Sequence, residues 1–215
     1  MFHTQDQSWT KNSVPSSDAN VEALFHLPDK FHPDPNDVDE ASAIRLETPP
    51  QATHGTHQLS SLDALAGFSD LVRYYRRVLD LAAYHDQTYN DFLHHMRLRL
   101  VISSGDSAIG FAYADTWRDM KSVSDFLRSA KDGSQYWDAD QGWEIIIQRH
   151  GECFHFRQGG FDQGGEYANI SFSRNQLLNA FEDLAPRIDD LISRLTREFG
   201  DDYWSEFRYD LIDYE

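Results

Sequence analysis

The stretch that most constrains this chain runs from Gly142 to Gly200, because its apolar spacing changes there from a period of two to a period of 3.6. In GWEIIIQR, Ile145 and Ile147 fall on one side, and Glu144, Ile146 and Gln148 on the other. A turn at His150-Gly151-Glu152 returns the chain as CFHFR. There Phe154 and Phe156 point one way, and Cys153, His155 and Arg157 the other. A glycine-rich connection, Gln158 to Gly165, leads to EYANISFS, whose Ala168, Ile170 and Phe172 complete a dry face. Alternation of this kind is the mark of a sheet with one dry and one wetter face. Ser173 and Gln176 then have capping-box spacing. Leu177, Leu178, Phe181, Leu184, Ile188, Leu191, Ile192, Leu195 and Phe199 recur along one helical stripe up to Gly200. Pro186 interrupts that stripe and predicts a kink or break near Asp183 to Ala185. Sheet and helix each have an apolar side, and each is the natural cover for the other.

Upstream, Ser60 and Asp63 form a helix-start pattern, and Leu62, Leu65, Phe68, Leu71, Val72, Tyr75, Val78, Leu79 and Ala82 line one face of a helix of about 20 residues. A second helix is expected after Asp86, carrying Tyr89, Phe92, Leu93, Met96 and Leu100, although RLRLVI from Arg97 also alternates as a strand would. Asp115 is the expected cap of a third, carrying Trp117, Met120, Val123, Phe126, Leu127 and Ala130, with Gly133 as its stop. The polar, aromatic SQYWDADQG reads as a loop. The predicted class is α+β: N-terminal helices, a small antiparallel three-stranded sheet, and a long C-terminal helix packed on the sheet.

Residues 1–58 hold six of the seven prolines (Pro15, Pro28, Pro33, Pro35, Pro49 and Pro50), with Asp34, Asp37, Asp39 and Glu40 between them. So few bulky apolar groups cannot offset the entropy of ordering, so this reads as a largely disordered leader before a single domain at 59–215. One exception is a docked turn of Val21, Leu24, Phe25 and Leu27.

The formal charge is -17, from 36 acids against 19 bases. That argues against a general nucleic-acid binder and an anionic membrane surface, and favours attraction to a basic partner. Cys153 is the only cysteine, so no internal disulfide forms and a reducing compartment is expected. The N-terminal residues show no secretory leader and no apolar run spans a bilayer, so the expected location is the cytoplasm.

No catalytic, cofactor or metal residue is assigned. Cys153 and His155 share a strand face, but a zinc site needs about four ligands and a nucleophile needs a base, an orienting group and an oxyanion site. The glycine-rich loop lacks a lysine and carries Asp162 and Glu166, which is wrong for phosphate. Carboxylates are too abundant for any pair to stand out. What does stand out is acid mixed with aromatics. Tyr136, Trp137, Asp138 and Asp140 form one such segment, and Asp201, Asp202, Tyr203, Trp204 and Glu206 another. Trp and Tyr anchor interfaces while charge orients the encounter, so both segments are candidate partner-binding residues.

The segment GWEIIIQRHGECFHFR…EYANISFSRNQLLNAFEDL…LTREFGDDYW, within an acidic α+β chain lacking catalytic motifs, resembles the immunity proteins of bacterial polymorphic-toxin and contact-dependent inhibition systems. The resemblance is one of class, spans residues 60–207, and brings no site residue with it. It implies inhibition by tight binding to a toxin, for which a nuclease with a basic cleft is a fitting target. The expected function is a non-enzymatic, protein-binding inhibitor with a basic toxin domain as partner and no cofactor. The alternatives are an adaptor or secretion chaperone, and a small metal- or carboxylate-dependent enzyme.

Overall fold

Alternation and stripe do become strands and helix, but more of the chain joins them than its composition predicts. A computed structural model describes residues 7–36, 39–53, 57–111, 116–140, 143–160 and 166–206. After a 3-10 turn at Gln7–Asn12 come β1 (Val14–Pro15), β2 (Asn20–His26), β3 (Lys30–Phe31), β4 (Ile44–Arg45) and β5 (Gln58–Ser60). Then follow α1 (Ser61–Ala66), α2 (Phe68–Tyr84), α3 (Tyr89–Phe92), β6 (Leu98–Ser104), β7 (Ser107–Gly110) and α4 (Trp117–Ser129). The chain closes with β8 (Gln135–Asp140), β9 (Trp143–His150), β10 (Cys153–Gly160), β11 (Glu166–Ser173) and α5 (Arg174–Phe199). The class is α+β, with the long C-terminal helix packed on a sheet.

Four helices start with the same device. Ser60 with Asp63, Thr88 with Asp91, Thr116 with Asp119, and Ser173 with Gln176 each satisfy exposed backbone N–H groups through a side chain three residues away. Such a cap is worth about 1 kcal/mol. For α4 the cap is Thr116; Asp115, expected from sequence, lies outside the described residues. Gly67 separates α1 from α2, where the sequence predicts one helix. Pro186 does not break α5. Pro186 and Glu182 both face solvent, so water can take the Glu182 carbonyl that loses its helix donor.

The chain forms two compact units, Met1–Glu22 with Leu100–Ala112 and Met120–Ala185, and Ala23–Arg99 with Tyr113–Asp119 and Pro186–Glu215. β2, β6, α4 and α5 each run on from one unit into the other.

In the first unit the sheet has five strands in the order β1-β11-β10-β9-β8, not three. Two elements were hidden by composition. β1 comes from the proline-rich segment and pairs parallel with β11, Val14 opposite Ile170. β8 comes from the expected loop and pairs antiparallel with β9, Tyr136 opposite Ile147. QYWDAD does alternate, but its polar side chains conceal the period. Ile145, Ile147, Phe154, Phe156, Ile170 and Phe172 form the dry face and are buried, with Phe126 of α4 against Phe154 and Leu177, Phe181 and Leu184 of α5 buried in the same unit. The other face is drier than predicted, since Ile146 and Gln148 are also buried.

In the second unit, the end of β2 pairs with β5, Phe25 opposite Leu59, and β3 pairs with β4. Ala23, Phe25, Leu27, Phe31 and Leu46 are buried, so residues expected to be a disordered leader supply core. The docked turn is a strand: Val21, Ala23 and Phe25 are its buried positions. The second helix shrinks to α3 and a 3-10 turn, Leu93–His95, and the alternating RLRLVI goes into β6.

Candidate partner-binding site

Trp137 occupies β8, the last strand of the five-stranded sheet. Strand register places it in a cross-strand row with Ile146 of β9, Arg157 of β10 and Asn169 of β11. Its ring is 54% exposed, while Trp9, Trp117 and Trp204 are buried. The ring is not loose. Its indole N–H donates to Glu144 Oε2 at 3.2 Å, and Arg157 Nη2 donates to Glu144 Oε1 at 3.0 Å. One carboxylate thus holds both the ring and the cation. Arg157 also lies over the Trp9 ring, 5.5 Å from its centre.

The 3-10 turn brings Trp9 onto this face. Asn169 Nδ2 donates to the Trp9 carbonyl at 3.1 Å, and the Trp9 and His155 rings meet edge-on at 6.4 Å. His155 Nδ1 is 3.0 Å from the Ser13 hydroxyl. Burial, then the nearby His150, lowers the His155 pKa, so its imidazole stays neutral at pH 7. Sequence reasoning missed Trp9, Glu144 and Arg157 as a group. The missing step was β8: once QYWDAD is a strand, its register puts Trp137 in the same cross-strand row as Arg157, with Ile146 between them.

The candidate segments divide between the units. Tyr136, Trp137 and Asp138 belong to the first; β8 ends at Asp140, whose side chain lies outside the described residues. Tyr136 is half-buried against Phe126 at 5.6 Å. Asp201, Asp202, Tyr203, Trp204 and Glu206 belong to the second, where they are largely consumed by the fold. Trp204 is 1% exposed and its ring meets Tyr75, Tyr203 and Phe199. Asp202 Oδ1 accepts from the backbone N–H groups of Trp204 and Ser205, and Asp201 Oδ1 from that of Asp202. The carbonyls of Trp204 and Ser205 in turn accept from Trp117 and Arg118 at the start of α4. Glu206 pairs with Arg118 at 3.1 Å. Trp204 is thus a core residue, with no ring surface left for a partner.

No protein-family model, curated protein or solved structure matches this chain. Its function has to be read from its own surface. Among the described residues no three His, Cys, Asp or Glu side chains are arranged to hold a metal ion. Cys153 is a half-buried free thiol. What the Trp137 face offers chemically is an oriented aromatic ring beside carboxylates, which suits recognition.

Proposed function

We propose that the chain is a protein-binding inhibitor, an immunity protein that neutralises a cognate basic toxin domain in the cytoplasm. The observation that carries this reading is Trp137, half-exposed yet pinned by Glu144. A ring already held in its rotamer loses little entropy on docking, and Trp is the commonest kind of interface anchor. The net charge of -17 steers a basic partner toward it. Docking centred on Trp137 would cover about 800 Å² per partner, as in ordinary specific interfaces. Among the described residues no helix is long and apolar enough to cross a membrane.

Co-expression tests the reading. The product of the neighbouring gene is expected to arrest growth of a host cell alone and to be tolerated together with this chain. A neighbouring product that is harmless, or that kills equally in the presence of this chain, counts against it.

A further inference from the structure

The second unit contains a cleft of about 450 Å³, lined by Asp29, Arg45, Glu47, Thr53 and His57 over a floor that includes the buried Leu46 and Ala52. Clefts of roughly 300–1,000 Å³ are the size that hold small ligands. Three features set this one apart from a surface dent.

The first is backbone strain. His57 has φ 51°, in the left-handed region where a non-glycine residue costs about 1 kcal/mol or more. It is held there from both sides, its N–H donating to the Thr53 carbonyl at 3.1 Å and its carbonyl accepting from Leu27 at 2.7 Å. The second is a loosely held acid. His57 Nε2 lies 3.6 Å from Asp29 Oδ1, within ion-pair reach but too far for a hydrogen bond, and among the described residues no hydrogen bond reaches the Asp29 carboxylate, which lines the cleft. The Asp29 backbone carbonyl accepts from Leu46 at 2.7 Å and fixes carboxylate and floor together. The third is unmatched charge. Lys30, opposite Arg45 across β3 and β4, pairs with Glu40, whereas Arg45 and Glu47 have no ion-pair partner among the described residues.

A cleft that offers one free guanidinium and two carboxylates calls for a ligand with both signs of charge. The guanidinium takes a carboxylate through two parallel N–H donors, and the carboxylates take an ammonium. A divalent ion fits less well, because Asp29, Glu47 and His57 are not drawn together as metal ligands. We propose that this cleft binds a small zwitterion of the α-amino acid class, its carboxylate on Arg45 and its ammonium on Asp29 and Glu47.

The test is titration calorimetry and ligand-observed NMR with each of the twenty common L-amino acids, then with the methyl ester and N-acetyl derivative of the best binder. The expected result is saturable binding with Kd between about 1 μM and 1 mM. Esterification, N-acetylation, Arg45→Met and Asp29→Asn should each weaken it by about tenfold or more. Arg45 is exposed, so Arg45→Met keeps the circular dichroism and melting temperature of the parent. His57→Asn removes the imidazole while tolerating the left-handed backbone, and it too should lose affinity. No saturation by any amino acid up to about 10 mM overturns the proposal. So does a binder held equally by Arg45→Met and Asp29→Asn.

Discussion

Acidification from pH 7 to pH 5 is expected to remove about 4 kcal/mol of folding stability, most of it through two adjacent histidines. His95 is fully buried. The Tyr74 hydroxyl is 2.9 Å from the Pro28 carbonyl and 2.8 Å from His95 Nδ1. A carbonyl only accepts, so the tyrosine proton goes to Pro28, and His95 Nδ1–H donates to the tyrosine oxygen. That leaves Nε2 as the unprotonated nitrogen, buried and without a hydrogen-bond partner among the described residues. Protonating it would place a charge in an apolar pocket beside the stacked Phe31 ring. Burial, then the neighbouring His94, His26 and His32, push the His95 pKa down to about 2. Burial, then Arg97 and His26, push that of His94 down to about 4.

Both folded values lie below the 6.5 of an ordinary histidine. The unfolded chain therefore binds protons below pH 6.5 that the folded chain refuses. The stabilisation is complete above pH 6.5 and is lost as pH falls toward 4 for His94 and toward 2 for His95. Each site loses about 1.4 kcal/mol per pH unit in that window, and the part between pH 6.5 and pH 5 lies above the range where ordinary carboxylates titrate. The rings are 4.1 Å apart and titrate as a pair. Urea unfolding at pH 7 and pH 5 reads the difference, and His95→Phe, which leaves His94 in place, should cut it to about half. A stability unchanged to within about 1 kcal/mol contradicts the assignment.

The second large effect separates the two candidate tryptophans. Trp204→Ala is expected to cost about 3–5 kcal/mol, because it empties the centre of a cluster that includes Tyr75, Phe199 and Tyr203. Burial raises the pKa of the Tyr75 hydroxyl in the same cluster. Trp137→Ala removes a half-exposed ring and should change stability by no more than about 0.5 kcal/mol. Denaturation midpoints of the two variants check the pair. The reverse order would mean that Trp137 is structural and Trp204 is not.

The two tryptophans also mark the limit of what could be read in the sequence. Both sit among acids and tyrosines, and composition alone gives them one role. What parts them is register and tertiary packing, neither of which leaves a local signal. Where the signal is local, the reading held. The alternation of CFHFR and EYANISFS, the Ser173–Gln176 cap and the stripe of α5 all became what their spacing predicts. Where a strand is short or polar the reading failed. β1 is two residues, β8 is mostly polar, and β2 lies in a segment whose prolines and aspartates outweigh one alternating run. Each compact unit joins elements distant in sequence, a partition that leaves no local signal. Trp9 gave no warning at all, because its place over His155 and Arg157 depends on a parallel pairing of β1 with β11.

If Trp137 anchors a protein interface, its loss must show in affinity for the partner. The purified chain and its Trp137→Ala variant are titrated with the purified neighbouring toxin domain. The parent is expected to bind with nanomolar affinity, and the variant to lose about 2 kcal/mol or more, roughly thirtyfold in Kd, with its fold intact. Equal affinity of the two proteins for the toxin would contradict the central claim.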